Sequence, residues 1–247
     1  MSKQWGAVLR GHEFDLQNWR EMLKPPFDPW VEVHGEDTVL RSNSLDDLTS
    51  ANEVRDRIVA HIDRLNGAML AMLQSEPLQF GGVVEFTADG KLHRTMFAEG
   101  AVYSRSRAHA VAVAIGPDGK PQPNQPPKPS EVQNWANIAD NDDLLEDALI
   151  YFGKVSAPTP GQHPPTFWFD IYKALECLMH RSGVEQDFLA LDWAPRNDVK
   201  RLKRTADWAR HARRKKAKPS PATTEKEAKD LIARLLRRAF DGSGATP

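Results

Sequence analysis

Four residues near the C-terminal end of the chain have the types and the spacing that phosphate chemistry needs: Arg204, Asp207, Trp208 and His211. On an α-helix, offsets of three, four and seven positions return to nearly the same direction, so these side chains share one face. Metal-independent cleavage of RNA needs a base for the ribose 2′-hydroxyl, an acid for the leaving oxygen and a cation beside the scissile phosphate. His211 has the chemistry of the base or the acid, and Arg204 is a permanent cation. We predict Arg204, His211 and Asp207 as catalytic residues.

A single helix supplies only one histidine to such a site. We therefore expect a homodimer or higher homo-oligomer, because a two-fold axis brings identical faces together and doubles the set. Asp207 would orient His211 or hold Arg204, and Trp208 would pack at the dimer interface or stack on a base. The alternative is structural: Arg204 pairs with Asp207, and His211 is an ordinary polar residue near a helix end.

Charge divides the chain into two unequal parts. Residues 196–247 contain 16 Lys and Arg against 6 Asp and Glu, whereas residues 1–195 contain 17 against 28. The basic part predicts phosphate contacts that give affinity without sequence discrimination. The predicted RNA-binding residues are Lys200, Arg201, Lys203, Arg210, Arg213, Arg214 and Lys215. The alternative partner is an acidic protein surface, for which residues 140–147 (DNDDLLED) of the same or a neighbouring molecule are one candidate.

The remaining composition is that of a globular protein. No stretch has the 18 consecutive apolar residues of a membrane span, and acidic residues occupy the place of a signal-peptide core, so we expect a cytoplasmic protein without membrane contact. We predict no cofactor and no metal site. Cys177, the single cysteine, lies in an apolar pattern and is predicted to be buried. His12, Glu13 and Asp15 are predicted to be a surface cluster, His34 to be isolated, and His61 to be an isolated, interfacial polar residue.

Residues 1–115 predict an α+β domain with a small antiparallel sheet. Short β-rich runs flank the sequence HGED, and the Asp89-Gly90 pair predicts a hairpin that continues into a third strand ending at Val111, Val113 and Ile115. Ser50 and Glu53 form a capping box for a long amphipathic helix over residues 52–73. Arg94, Arg105, Arg107 and His109 are predicted to form a solvated sheet face, with an anion-binding surface as the alternative.

Residues 116–130 contain six prolines and predict an interdomain linker or a long hairpin tip. Beyond them, residues 131–240 predict an all-α helical bundle. Its elements are two short helices before residue 154, an apolar helix that begins near Thr166 and ends at Gly183, the basic helix from about Asn197 to Lys215, and a last helix capped by Thr224 and Glu227. Residues 241–247 are predicted to be a disordered tail.

The phrases WFDIYKALE and TADWARHARR resemble many uncharacterised bacterial proteins with a helical C-terminal region. The Arg204-x6-His211 spacing in such a helical half resembles the HEPN superfamily over residues 131–240. The resemblance implies a helical bundle and, in active members, metal-independent RNA cleavage in a composite dimer site, here through Arg204 and His211. It also implies a bacterial stress or defence setting. Many HEPN-like domains serve in binding or assembly instead, so a non-catalytic interaction protein is the alternative function.

Overall fold

A computed structural model describes residues 4–87, 92–97, 127–155, 166–210 and 219–243, and the chain is α+β as predicted. The strands are β1 (Gln4–Arg10), β2 (Trp30–His34), β3 (Asp37–Arg41), β4 (Gln79–Phe86) and β5 (Leu92–Thr95). The helices are α1 (Glu13–Met22), α2 (Ala51–Leu73), α3 (Glu131–Ala139), α4 (Asp143–Gly153), α5 (Phe167–Arg181), α6 (Glu185–Ala190), α7 (Arg196–Arg210) and α8 (Glu225–Ser243). A single 3₁₀ turn spans Asn43–Leu45.

The five strands form one antiparallel sheet in the order β2-β3-β1-β4-β5. Gly35 has a φ of +62° in the turn between β2 and β3, a backbone conformation that glycine adopts without steric cost. On β1, Trp5, Ala7 and Leu9 are all buried in the main core, as expected for alternate residues on one side of a strand. The sheet therefore presents one apolar face to the helices.

Helix α2 lies between this sheet and the helical half. Ser50 accepts a hydrogen bond from the Glu53 backbone N–H and Glu53 caps the Ser50 backbone, which confirms the predicted capping box. At the other end, Arg237 of α8 donates to the carbonyl oxygens of Ala71 and Met72 at 3.0 and 3.3 Å. A side chain thus satisfies carbonyls that have no partner within the helix.

Two glycines bring the backbones of α2 and α4 into direct contact. A Cβ placed on Gly67 would lie 2.0 Å from the carbonyl oxygen of Leu149, and one on Gly153 would lie 2.4 Å from that of Asp63. No larger residue fits at either position without moving a helix. The crossing therefore sets the position of every α4 side chain relative to α2.

The hydrophobic core is continuous across the two parts predicted from the sequence. It runs from Trp5 on β1 through the buried stripe of α2 to Phe240 on α8, where Phe240 stacks on Trp135 of α3 with 4.3 Å between ring centroids. Residues 1–115 and 131–240 thus share one core over their described parts. Helix α8 continues to Ser243, three residues into the predicted disordered tail.

Several predictions concern residues outside the described ranges. These are the Asp89-Gly90 turn, the third hairpin strand with Arg105, Arg107 and His109, most of the Pro-rich segment 116–130, residues 211–218 and residues 244–247. Among the helices that the structure describes, none combines the length and the apolar character needed to cross a bilayer.

Candidate nucleic-acid interface

Helix α7 is held against α5 and α8 by a narrow buried stripe. Val199, Leu202, Thr205 and Ala206 are its buried residues, at helical spacing. Thr205 also makes two polar contacts: its Oγ1 donates to the Arg201 carbonyl oxygen at 2.9 Å and accepts from the Thr223 backbone N–H at 3.0 Å. These bonds fasten the chain before α8 alongside α7.

An open groove of about 470 Å³ runs between α7 and the segment before α8. Arg204, Asp207 and Trp208, predicted to share a helix face, all line it. The other lining residues are Asn197, Lys200, Arg201, Pro219, Ser220 and Pro221. The fourth predicted member of the set, His211, lies outside the described residues. The groove therefore brings together two guanidiniums, an ammonium, a carboxylate and an indole.

Asp207 pairs with Arg210 and not with Arg204. Arg210 Nη2 lies 3.0 Å from Asp207 Oδ1, and the Arg210 guanidinium lies 3.7 Å from the centre of the Tyr172 ring on α5. The predicted structural alternative, an Arg204–Asp207 pair, is therefore wrong. Arg204 is exposed, and no carboxylate of the described residues lies within ion-pair distance of it.

The other predicted RNA-binding residues of α7 differ in how far this chain already engages them. Arg201 pairs with Glu227 at 3.3 Å, and Lys203 pairs with Glu185. Lys200 is exposed and faces the groove, with no ion pair among the described residues. Arg213, Arg214 and Lys215 lie outside the described residues. Among the predicted RNA-binding and catalytic cations that the structure describes, Lys200 and Arg204 are thus the two without an ion pair to a described carboxylate.

The acidic segment at residues 140–147, predicted as a partner for the basic run, has partners of its own. Asp140 and Glu146 both bind Arg64 of α2, at 2.5 and 3.2 Å. Asp142 caps the Leu145 backbone N–H at 3.1 Å and pairs with Arg181 at 2.6 Å. Three of these carboxylates are therefore engaged by arginines outside the basic run.

Helix α2 carries a buried polar cluster that was not predicted from the sequence. His61 and Arg64 are 8% and 1% exposed, and Arg64 Nη2 lies 2.8 Å from His61 Nδ1. His61 is therefore not isolated, which corrects that part of the prediction, and its contact with Ser44 places it where α2 meets the 3₁₀ turn. Burial, followed by the nearby Arg64 cation, lowers the pKa of His61 to about 4. The partners of Arg64 on the α3–α4 side are more than 70 positions away along the chain, so no local pattern points to them.

Two predictions about the sheet half also need correction. Asp15 is 1% exposed instead of lying on the surface, and its Oδ1 accepts from Ser75 Oγ at 2.8 Å and from the Glu76 backbone N–H. His34 is not isolated, because its Nε2 lies 2.8 Å from Glu32 Oε2. Both arrangements tie neighbouring segments together.

Arg94 is ion-paired and Cys177 is buried. Arg94 pairs with Asp37 across the sheet. Cys177 is 8% exposed, which confirms its predicted burial, and burial raises the pKa of its thiol to about 11. The thiol is therefore protonated at neutral pH and is a poor nucleophile.

Within the described ranges, no group of three or more His, Cys, Asp or Glu side chains is placed to hold a metal ion. Comparison of the chain with protein-family models, with curated proteins and with solved structures finds no match. The resemblance to the HEPN superfamily accordingly stays a prediction, and the geometry of the groove is the basis for a functional proposal.

Proposed function

We propose that this protein binds RNA in the groove beside α7. The observation that carries the proposal is the convergence of Arg204 and Lys200, two cations without carboxylate partners among the described residues, with Trp208 in one open groove. Cations that the fold does not neutralise are the groups that a phosphate backbone recognises.

The three side chains have complementary tasks. Lys200 and Arg204 are one helical turn apart, so they can contact neighbouring phosphates, and Arg204 offers a planar fork of donors to one of them. The indole of Trp208 provides a surface on which an unpaired base stacks with little regard to its identity. Binding of this kind is salt-dependent and tolerant of sequence.

Cleavage is the enzymatic form of the same proposal and depends on His211. In the sequence, His211 follows Arg210 and lies four positions after Asp207. In a homodimer, two copies of Arg204 and His211 would supply the base, the acid and the cation that metal-independent cleavage requires. RNA cleavage in EDTA that is lost in His211→Ala would support this form; no cleavage by either protein would leave binding alone.

Binding is tested by measuring RNA retention against salt for matched neutral substitutions. Arg204→Gln should weaken RNA binding by about 3-fold to 10-fold and lower the slope of log affinity against log salt by about 1. Lys226→Gln is the control, because Lys226 is a highly exposed cation on α8 that pairs with Asp230 and lies outside the groove. Equal effects of the two substitutions, or binding that does not depend on salt, would contradict the proposal.

A second candidate is a non-catalytic assembly protein whose basic helix binds an acidic protein surface. Carboxylates of this chain already pair with Arg201, Lys203 and Arg210, so α7 is suited to contacts with acidic side chains. Polyglutamate of matched charge distinguishes the two candidates. The readout is the part of the emission of the seven tryptophans that Trp208→Phe removes. If polyglutamate binds as tightly as RNA and leaves that part unchanged, the assembly role is favoured; if RNA binds more tightly and quenches it, RNA binding is favoured.

A further inference from the structure

A row of hydrogen bonds connects α2 with the segment that follows β3. Arg64 Nη2 lies 2.8 Å from His61 Nδ1, and His61 Nε2 lies 3.3 Å from Ser44 Oγ in the 3₁₀ turn. Ser44 Oγ lies 2.9 Å from Ser42 Oγ, which lies 3.1 Å from Asp28 Oδ2. The row thus begins at a buried cation and ends at a carboxylate.

The two ends determine the direction of every bond between them. A guanidinium only donates and a carboxylate only accepts, so His61 Nδ1 accepts from Arg64 and Ser42 donates to Asp28. The single hydroxyl proton of Ser42 is used in its bond to Asp28, so Ser44 donates to Ser42. The Ser44 oxygen then accepts from His61 Nε2–H. His61 is therefore neutral with its proton on Nε2. It cannot also accept the Ser44 proton, which excludes a serine nucleophile activated by this histidine.

We propose that this row is an acid-released latch between α2 and the 3₁₀ turn at Asn43–Leu45. A second proton on His61 would go to Nδ1, where the new N–H would face the N–H of Arg64 at the present 2.8 Å. Two donors and two positive charges would then oppose each other at a buried position. The contact between His61 and Arg64 breaks, and His61 leaves Ser44 as it moves toward water.

The charged groups around His61 act in opposite directions. Arg64 and Arg57, both on α2, oppose its protonation, whereas Asp140 at the end of α3 favours it. Asp140 Oδ1 and Glu146 Oε1 on α4 are both bound to Arg64, so a histidinium would compete with that arginine for them. Burial adds to the effect of the arginines.

The sign of the pH dependence follows from these groups. In the closed state, with the row of hydrogen bonds intact, the pKa of His61 is about 4, against 6.5 for a free side chain. The open state, in which the row is broken, therefore takes up the proton first as the pH falls. The closed state therefore has its full stability relative to the open state above pH 6.5, and this stability decreases as the pH falls from 6.5 to 4.

Hydrogen exchange at the 3₁₀ turn tests the latch. The backbone N–H groups of Leu45 and Asp46 donate to the Ser42 and Asn43 carbonyl oxygens, so they report its opening. After correction for intrinsic exchange, their protection should fall about 20-fold from pH 7 to pH 5, the ratio expected when one group titrates between the two pKa values. In His61→Asn, whose side-chain oxygen can still accept from Arg64 but does not titrate, this fall should disappear.

His34→Asn is the matched control, because His34 is a partly exposed histidine paired with Glu32 and is not a member of the row. It should keep the pH dependence of the native chain. The same fall in His61→Asn as in the native chain would overturn the proposal. If His61→Asn does not fold, ¹H–¹⁵N correlations of the native His61 ring decide: a proton on Nε2 alone at pH 6 supports the latch, and a proton on Nδ1 overturns it.

Discussion

Arg64 on α2 and Arg204 on α7 differ in burial and in their contacts with carboxylates. Arg64 is 1% exposed and contacts His61, Asp140 and Glu146, whereas Arg204 is exposed, lines a groove and contacts no described carboxylate. A buried cation that loses its partners lowers the stability of the folded state, so the role of Arg64 is structural. The surroundings of an arginine, and not the local density of positive charge in the sequence, separate a structural role from a binding role.

The largest expected effect is on the buried side of this comparison. Arg64→Met should lower the free energy of unfolding by about 3 kcal/mol, because it leaves His61 Nδ1 without its donor and separates two carboxylates from their counter-ion. Asp140 and Glu146 stay partly exposed, which limits the loss. Urea unfolding measures the change. Arg204→Met should change the same quantity by no more than about 0.5 kcal/mol, and equal losses would break the comparison.

The next effect concerns the helix crossing that positions Arg64. Gly67 lies one turn beyond Arg64 and touches the backbone of α4, which carries Glu146. Gly67→Ala should cost about 2–3 kcal/mol, since the new methyl group meets a carbonyl oxygen that cannot move alone. The control is Gly242→Ala, where a Cβ meets nothing within 4 Å. Thermal unfolding should show a lower Tm for the first variant and an unchanged or slightly higher Tm for the second.

The smallest effect concerns Arg210, which is intermediate between the two arginines. It is partly buried, pairs with Asp207 and lies over the Tyr172 ring. Tyr172→Leu should cost about 1 kcal/mol through loss of the cation–π contact, and Tyr172→Phe should cost less because the ring remains. Chemical unfolding of both variants measures the two changes in the free energy of unfolding. A loss in Tyr172→Phe as large as that in Tyr172→Leu would assign the effect to the hydroxyl group.

Much of the fold followed from local sequence signals. The capping pairs Ser50 with Glu53 and Thr224 with Glu227 both form, and the long amphipathic helix and the hairpin at Gly35 lie where they were predicted. These features depend on neighbours in sequence. The placement of β1 between β3 and β4 was not predicted, because strand order depends on contacts between distant segments.

The candidate interface shows the same division. Helical spacing was enough to predict that Arg204, Asp207 and Trp208 share a face, and all three line the groove. The predicted partner of Asp207 was wrong. Arg204 and Arg210 both lie three positions from Asp207, and contact with the Tyr172 ring on another helix favours Arg210. The His61–Arg64 cluster was missed altogether, since Ser44, Asp140 and Glu146 reach it only through tertiary folding.

Burial of the single thiol, Cys177, gives the chain an internal reporter of its own unfolding. The thiol of Cys177 lies on the buried side of α5 and is protonated at neutral pH. An alkylating reagent therefore reacts with it only after the surrounding helices separate. Pulse alkylation followed by mass spectrometry would therefore time the exposure of α5 without any engineered label, and each molecule would be counted once, because the sequence contains no second cysteine.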